Sequence, residues 1–337
     1  MQPIAVDPAA PLHVVLNEGS GRTDAAARRN VIETVLRQAG RTHSFLVPSD
    51  GAPLRACARR AVEQAQRDGG VVVAAGGDGT INAVAQVVLG SGCVLGVVPQ
   101  GTFNYFSRTH GIPEDPEAAT QALLGDQAHP VQAGLVNDRL ILVNASLGLY
   151  PKLLEDREAY TRQYGRSRAV ALFAGLVGLL REHRQLRLQI EYRGGTREIR
   201  TPTLFVGNNR LQFEQLGIEE APLLDEGQLA AIALKPVGSV AMLGLLLRGA
   251  FGRLGNAENI TSFAFRRLSV RPWLPYGTRR VKVAIDGEVE YLRAPLEFRV
   301  SEQPLYLLKP AAPRAPGDGG QGAHESSTEP IAAEPPA

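Results

Sequence analysis

Gly76-Gly77-Asp78-Gly79-Thr80 sets one carboxylate inside a run of glycines. Glycine lets the backbone come close to a ligand, and free N–H groups at a helix start suit a phosphate. A carboxylate repels phosphate unless a metal or a hydroxyl lies between them, so the stretch reads as a nucleotide site that works with Mg²⁺. Two other polar, glycine-bearing turns are Asn17-Glu18-Gly19-Ser20-Gly21 and Pro99-Gln100-Gly101-Thr102-Phe103-Asn104. Far downstream, Asp286-Gly287-Glu288 puts an acid before a glycine. By pattern alone that is as readily a hairpin turn as a catalytic acid.

Each of the early turns follows a short apolar run. Val71–Ala75 precedes the first and is followed by Ile81, Val84, Ala85 and Val88, the spacing of one helical face. Leu12–Leu16 and Val94–Val98 precede the other two. Strand, polar turn and helix alternate as far as residue 124, which predicts an α/β doubly wound parallel sheet with its ligand at the carboxyl ends of the strands. Near residue 130 the pattern changes to runs of strands, which predicts a mainly antiparallel β-sandwich. Among them, 131–134, 140–146, 185–192, 198–207, 228–234, 260–270, 281–285, 296–300 and a last short one at 305–309 read as strands. Helical stretches at 166–183 and 236–254 interrupt them, each with an apolar run too short to span a bilayer. The expected organisation is 1–130 as a nucleotide-binding domain, 131–310 as a β-rich substrate domain, and 311–337 as a disordered tail rich in Pro, Gly, Ser and Ala.

Composition narrows the class. The chain has 337 residues, 44% hydrophobic and 21% charged, with a net charge of +2. That balance suits a globular protein and gives no reason to expect a nucleic-acid partner. Cys57 and Cys93 form no metal-binding or redox spacing, and the six histidines show none either. Reduced thiols and the lack of a signal-peptide pattern at the start predict a cytoplasmic protein without a transmembrane segment. A Walker P-loop needs a lysine after its glycines, but the four lysines, at 152, 235, 282 and 309, follow no glycine turn. The dinucleotide pattern GxGxxG fails because Ala83 stands where its third glycine belongs.

GGDGTIN at 76–82, PQGTFNYFSR at 99–108 and NEGSG at 17–21 together resemble the diacylglycerol kinase catalytic family, lipid kinases that include bacterial diacylglycerol kinases and sphingosine kinases. NASLG at 144–148, APLLDEGQL at 221–229 and IDGE at 285–288 extend the resemblance over about residues 12–309. It implies ATP-dependent phosphorylation of a lipid hydroxyl at a membrane surface, with diacylglycerol as the default acceptor, in phospholipid metabolism. It implies that Asn17, Ser20, Gly21, Gly76, Gly77, Asp78, Gly79, Thr80, Asn82 and Thr102 hold ATP. Asp78 would position Mg²⁺ and the phosphates, and Asp286 would accept the substrate's proton. A second, structural Mg²⁺ is implied at Glu226 with Leu223 and Gln228. Two positions depart from the family pattern: Glu18 replaces a proline, and Glu226 replaces an aspartate. NAD kinase, which shares GGDGT, and a non-catalytic nucleotide or lipid sensor are the alternatives. A homodimer is left open.

Overall fold

The structure, a computed structural model, describes residues 2–19, 25–49, 51–148, 151, 185–192, 195–236, 259–274 and 278–310. The expected helical stretches at 166–183 and 236–254 and the expected disordered tail lie essentially outside these residues.

The first lobe is built on a seven-stranded sheet. β2 (Leu12–Leu16), β3 (His43–Leu46), β4 (Val71–Gly76) and β5 (Val94–Pro99) run parallel in the order β5-β4-β2-β3. Every residue of β2, β4 and β5 is buried, as expected for parallel strands covered on both faces. α1 (Ala25–Gln38), α2 (Leu54–Asp68) and α3 (Asp78–Val88) make the crossovers. α2 buries Cys57, Ala58, Ala61, Val62 and Ala65 and stops at Gly69, whose φ of 70° ends the helix in the left-handed conformation. α3 buries Thr80, Ile81, Val84, Ala85 and Val88, the face marked out by its apolar spacing.

The sheet is mixed rather than purely parallel. β6 (Gln127–Val131) and β1 (Ile4–Ala5) add antiparallel strands at its edge. The gap between β6 and β5 is filled by β19 (Leu305–Leu308), parallel to β5 and antiparallel to β6. The sequence places 305–309 with the second half of the chain. The structure corrects this: the chain returns to the first sheet after completing the sandwich. The sheet gains a buried central strand whose Leu305, Leu307 and Leu308 are almost fully covered.

The second lobe stacks two six-stranded antiparallel sheets. One has the order β11 (Gly195–Thr201), β10 (Leu186–Tyr192), β15 (Arg267–Pro272), β18 (Leu296–Val300), β7 (Gly134–Val136), β8 (Arg139–Ile141). The other has the order β14 (Ile260–Phe265), β13 (Leu229–Leu234), β12 (Thr203–Gly207), β9 (Asn144–Gly148), β16 (Arg280–Ile285), β17 (Glu288–Arg293). Leu188, Leu204, Val206, Phe265, Leu268, Val283 and Phe298 meet in the core between them. Two runs expected as single strands change sheets midway. The break between β11 and β12 falls at Pro202, which has no N–H for a ladder. The break between β14 and β15 falls at the exposed Arg266. The expected strand at 140–146 is also interrupted, at Leu142 and Val143, whose amides turn to Asp286 instead of to a strand.

Candidate active site

α3 starts immediately after β4. Its N-cap, Gly77, is extended and supplies no side-chain cap, so the first-turn N–H groups are not closed off by a cap side chain. Close approach explains two of the glycines. A Cβ on Gly76 would lie 2.5 Å from the Thr80 side chain. A Cβ on Gly101 would lie 2.8 Å from Asn104 Oδ1 and 3.1 Å from Gly77 Cα. The turns after β4 and β5 therefore touch backbone to backbone. Asn104 locks the second turn: it has φ 48°, accepts from Gly101 N at 3.0 Å and donates to Gly101 O at 3.1 Å. Thr102 is exposed on that turn.

Asn17, at the end of β2, joins the same corner. Its Nδ2 donates to Thr80 Oγ1 at 2.9 Å. Ser20 and Gly21 lie outside the described residues. The expected convergence of three strand ends is thus present for Asn17, the glycine turn and the Gly101–Asn104 turn.

Asp78 points from the first turn of α3 toward α4 (Tyr105–Thr109), where the backbone amides of Asn104, Tyr105 and Phe106 face its carboxylate. Burial raises its pKa, and those amides oppose the rise without cancelling it. One carboxylate oxygen, Oδ1, is buried with no hydrogen-bond partner among the described residues. An anionic oxygen left in that state suits a hard cation, so Asp78 fits a Mg²⁺ ligand. Around Glu226 the fit is poor. Glu226 is exposed at the end of a short 3-10 helix, Ala221–Glu226. Arg266 Nη2 donates to its carbonyl at 3.4 Å, and Gln132 Nε2 to the Gln228 carbonyl at 2.9 Å. Its neighbour Asp225 pairs with Arg210 at 2.5 Å. No cluster of three acidic, His or Cys side chains suited to a metal occurs among the described residues. Leu223, Glu226 and Gln228 do not line the cavity that holds the glycine turn.

Asp286 occupies the tight turn between β16 and β17, with φ 47° followed by Gly287 at 89°. The hairpin-turn reading of Asp286-Gly287 is met. Its Oδ1 accepts from the amides of Val143 (2.9 Å) and Asn144 (2.8 Å). Its Oδ2 accepts from the Leu142 amide (2.9 Å) and from Asn82 Nδ2 (2.6 Å). Burial pushes the carboxyl up to about 6, against the pull of these four donors. Asn82 also donates to Leu140 O at 3.0 Å. The asparagine expected to hold ATP thus spends its amide on the opposite lobe, although it lines the cleft.

Asn17, Gly77, Gly79, Thr80 and Asn82 face Ile285 and Glu288 across a cleft of about 670 Å³. Glu288 Oε1 would be 3.2 Å from a Cβ on Gly79, so this carboxylate stands directly over the glycine turn. Two arginines also line the cleft. Arg139 Nε donates to Glu290 Oε2 at 2.7 Å, and Arg55 Nη2 reaches Glu290 Oε1 at 3.4 Å. Arg55 comes from α2 and the other two from the sandwich, so the bridge crosses the lobes. Sequence reasoning missed Arg55, Arg139 and Glu290. None sits in a local motif; Glu288 was in plain view inside Asp286-Gly287-Glu288 but carried no assigned role.

The model for the diacylglycerol kinase catalytic domain matches residues 11–136. A Pseudomonas aeruginosa protein named "Probable lipid kinase YegS-like" is 33% identical over 263 residues, which is 75% of this chain and 82% of that protein. The diacylglycerol kinase of Bacillus subtilis is 26% identical over 284 residues, covering 82% of this chain and 88% of its own. In fold, the chain resembles the crystal structure of a diacylglycerol kinase from Bacillus anthracis, with TM-score 0.63, 19% identity, and coverage of 89% and 97%. With the glycine turn and the two aspartates meeting at one helix, these similarities lead to one conclusion: the chain belongs to the diacylglycerol kinase catalytic-domain family and is a diacylglycerol kinase-like lipid kinase.

Proposed function

We propose that the enzyme transfers the γ-phosphoryl group of ATP, with Mg²⁺, to the hydroxyl of a lipid presented at a membrane surface, diacylglycerol being the default acceptor. The observation that carries this reading is the Asn82–Asp286 bond. Asn82 is one helical turn beyond Asp78, so the bond brings Asp286 to the helix that carries Asp78, behind a cleft that Asn82, Gly77, Gly79 and Ile285 line. Phosphoryl transfer needs alignment, charge neutralisation and one proton acceptor, with little covalent chemistry from the protein.

The uncapped first turn of α3 and the close turn at Gly101 hold the phosphates, with Asn17, Thr80 and Thr102 beside them. Asp78 would hold the metal through Oδ1, its unpartnered oxygen. When bound, Mg²⁺ offsets charge on the phosphates and lets this carboxylate sit beside them. Asp286 is the base. A pKa near 6 keeps it ionised at neutral pH yet basic enough to take a proton. Three of its four donors are backbone amides; the fourth, Asn82, is a side chain and can give up its place at Oδ2 to the acceptor hydroxyl. That hydroxyl passes its proton to Oδ2 as its oxygen bonds to the γ-phosphorus and the bond to the ADP oxygen breaks. Arg55 and Arg139, the cations among the described cleft-lining residues, would offset charge on the phosphates from their place beside Glu290.

The test is transfer of radiolabelled γ-phosphate from ATP to a panel of lipid alcohols in mixed micelles, with products separated on thin layers. A labelled lipid is expected, lost in Asp78→Ala. NADP formation from NAD in place of any labelled lipid would overturn the acceptor assignment; nucleotide binding without transfer to any lipid would favour a sensor.

A further inference from the structure

Residues 132 and 133 carry the chain from the first sheet into the sandwich, between β6 and β7. The return crossing, from β18 to β19, lies against them: Ser301 N donates to Ala133 O at 2.8 Å. Gln132 is half-buried at this double crossing. Its Nε2 donates to the Gln228 carbonyl at 2.9 Å and to Asn208 Oδ1 at 2.7 Å. Gln228 precedes β13 and Asn208 follows β12. One side-chain amide therefore ties the lobe crossing to two strands of the sandwich.

Gln228 is also one of the three positions at which the resemblance implies a second, structural Mg²⁺. That ion takes oxygen ligands in near-ideal octahedral geometry. Here the Gln228 oxygen faces an N–H, whose positive end points at it as a cation would. Arg266 Nη2 donates to the neighbouring Glu226 carbonyl at 3.4 Å. A Cβ on Gly227, between the two, would lie 3.9 Å from that nitrogen and 4.0 Å from Gln132 Oε1. Two donors, one of them a full positive charge, thus close on the loop from Glu226 to Gln228, and like charge so near disfavours a divalent ion. The Glu226 side chain is meanwhile exposed.

The same junction reaches Asp286. Asn208 Nδ2 donates to the carbonyls of Ile141 at 3.0 Å and Leu142 at 3.3 Å, and Asn208 N donates to the Val143 carbonyl at 2.9 Å. Leu142 and Val143 give their own amides to Asp286. Asn208 therefore holds the carbonyls of the segment whose amides hold the carboxylate.

We propose that the Gln132–Asn208 amide junction, with the Arg266 guanidinium, stands in place of the second metal: it fixes the lobe crossing to the sandwich and positions Asp286 without a divalent ion at this loop. Gln132 and Asn208 are positioning residues, and their effect on turnover rests on the reading of Asp286 as the base.

The experiment is thermal melting of the full chain without nucleotide, in chelator and in millimolar Mg²⁺. It is run in an Asp78→Ala background, which removes the other expected metal ligand. Equal melting temperatures are expected, because an ion bound only to the folded state would raise the value. A higher melting temperature in Mg²⁺ would overturn the proposal. Gln132→Leu leaves the Gln228 carbonyl and Asn208 Oδ1 without their donor. It is expected to melt several degrees lower, equally in Mg²⁺ and in chelator; melting unchanged by this substitution would overturn the junction. With Asp78 restored, Asn208→Ala is expected to move the acid limb of kcat/KM to higher pH, because the amides that lower the Asp286 pKa lose their brace. Gln132→Leu, one bond further away, is expected to move it in the same direction. Loss of stability alone would not shift this limb, and a limb left in place in both variants would overturn the positioning role. Melting needs neither ATP nor lipid, so absence of transfer to any lipid would remove the kinase reading and leave the junction standing.

Discussion

Two residues titrate in opposite senses and give the protein an unusual pH signature. Asp286 is held up at about 6 by burial. The folded state therefore binds its proton more tightly than the unfolded chain, and its contribution to stability rises as pH falls from about 6 toward 3.8. Catalysis needs the ionised form, so kcat/KM is expected to fall about tenfold per pH unit below about 6. His110 does the reverse. Burial, helped by Lys309, drives it down to about 3, so it stays neutral in the fold. The stability this leaves above the unfolded value of 6.5 is lost as pH falls toward 3. His110→Gln is expected to move acid unfolding to lower pH, read by thermal melts across that range, and to leave the activity limb near 6 in place. Asp286→Asn is expected to abolish transfer. Its amide would also turn a donor toward the Leu142 amide or the Val143 and Asn144 amides, a cost of about 1–3 kcal/mol, measurable by denaturant unfolding.

At the scale of elements, α3 acts as the rail of the site. Asp78, Asn82 and Gln86 recur every four residues, so they share one helical face and span about 12 Å. Asp78 meets the amides before α4, Asn82 meets Asp286, and Gln86 Oε1 accepts from Leu140 N at 2.8 Å. Asn82 donates to the ionised form of Asp286 and so lowers its pKa. Asn82→Ala is therefore expected to shift the acid limb of the rate profile to higher pH, a displacement that a merely destabilised enzyme would not show. The paired turns make a second element-scale prediction. In Gly101→Ala the new Cβ has no room between Asn104 Oδ1 and Gly77 Cα. Overpacking of this kind costs about 1–3 kcal/mol, and calorimetry is expected to show weakened nucleotide binding because the glycine turn is pushed out of place.

At the scale of the molecule, two lobes meet across a charged bridge as well as at Asp286. Arg55, Arg139 and Glu290 are half-exposed to partly exposed, at 50%, 34% and 27%. Ion pairs of this kind contribute under about 1 kcal/mol. Glu290→Gln is accordingly expected to change the unfolding free energy little. Because it removes a negative charge from a cleft that must accept a polyphosphate, it is expected to lower KM for the nucleotide several-fold.

The glycine turn, its preceding strand and the apolar face of α3 were legible in the sequence because they are decided within about a dozen residues. Alternation of strand and helix likewise announced the first sheet, and the loss of helices after residue 130 announced the sandwich. Sheet membership was not legible. A strand ladder can close between any two segments, so β19 joining β5, and the chain switching sheets at Pro202 and Arg266, depend on pairings that local pattern does not encode. The same holds for the cleft. Sequence alone put Asp78 among glycines at a helix start, and left Asp286-Gly287 open between a hairpin turn and a catalytic acid. Only the tertiary structure decided that Asn82 and Asp286, 204 positions apart, share a hydrogen bond, and that Arg55 and Arg139 converge on Glu290. Backbone conformation is a local property of residue type, whereas the meeting of distant side chains is set by how two cores pack against each other.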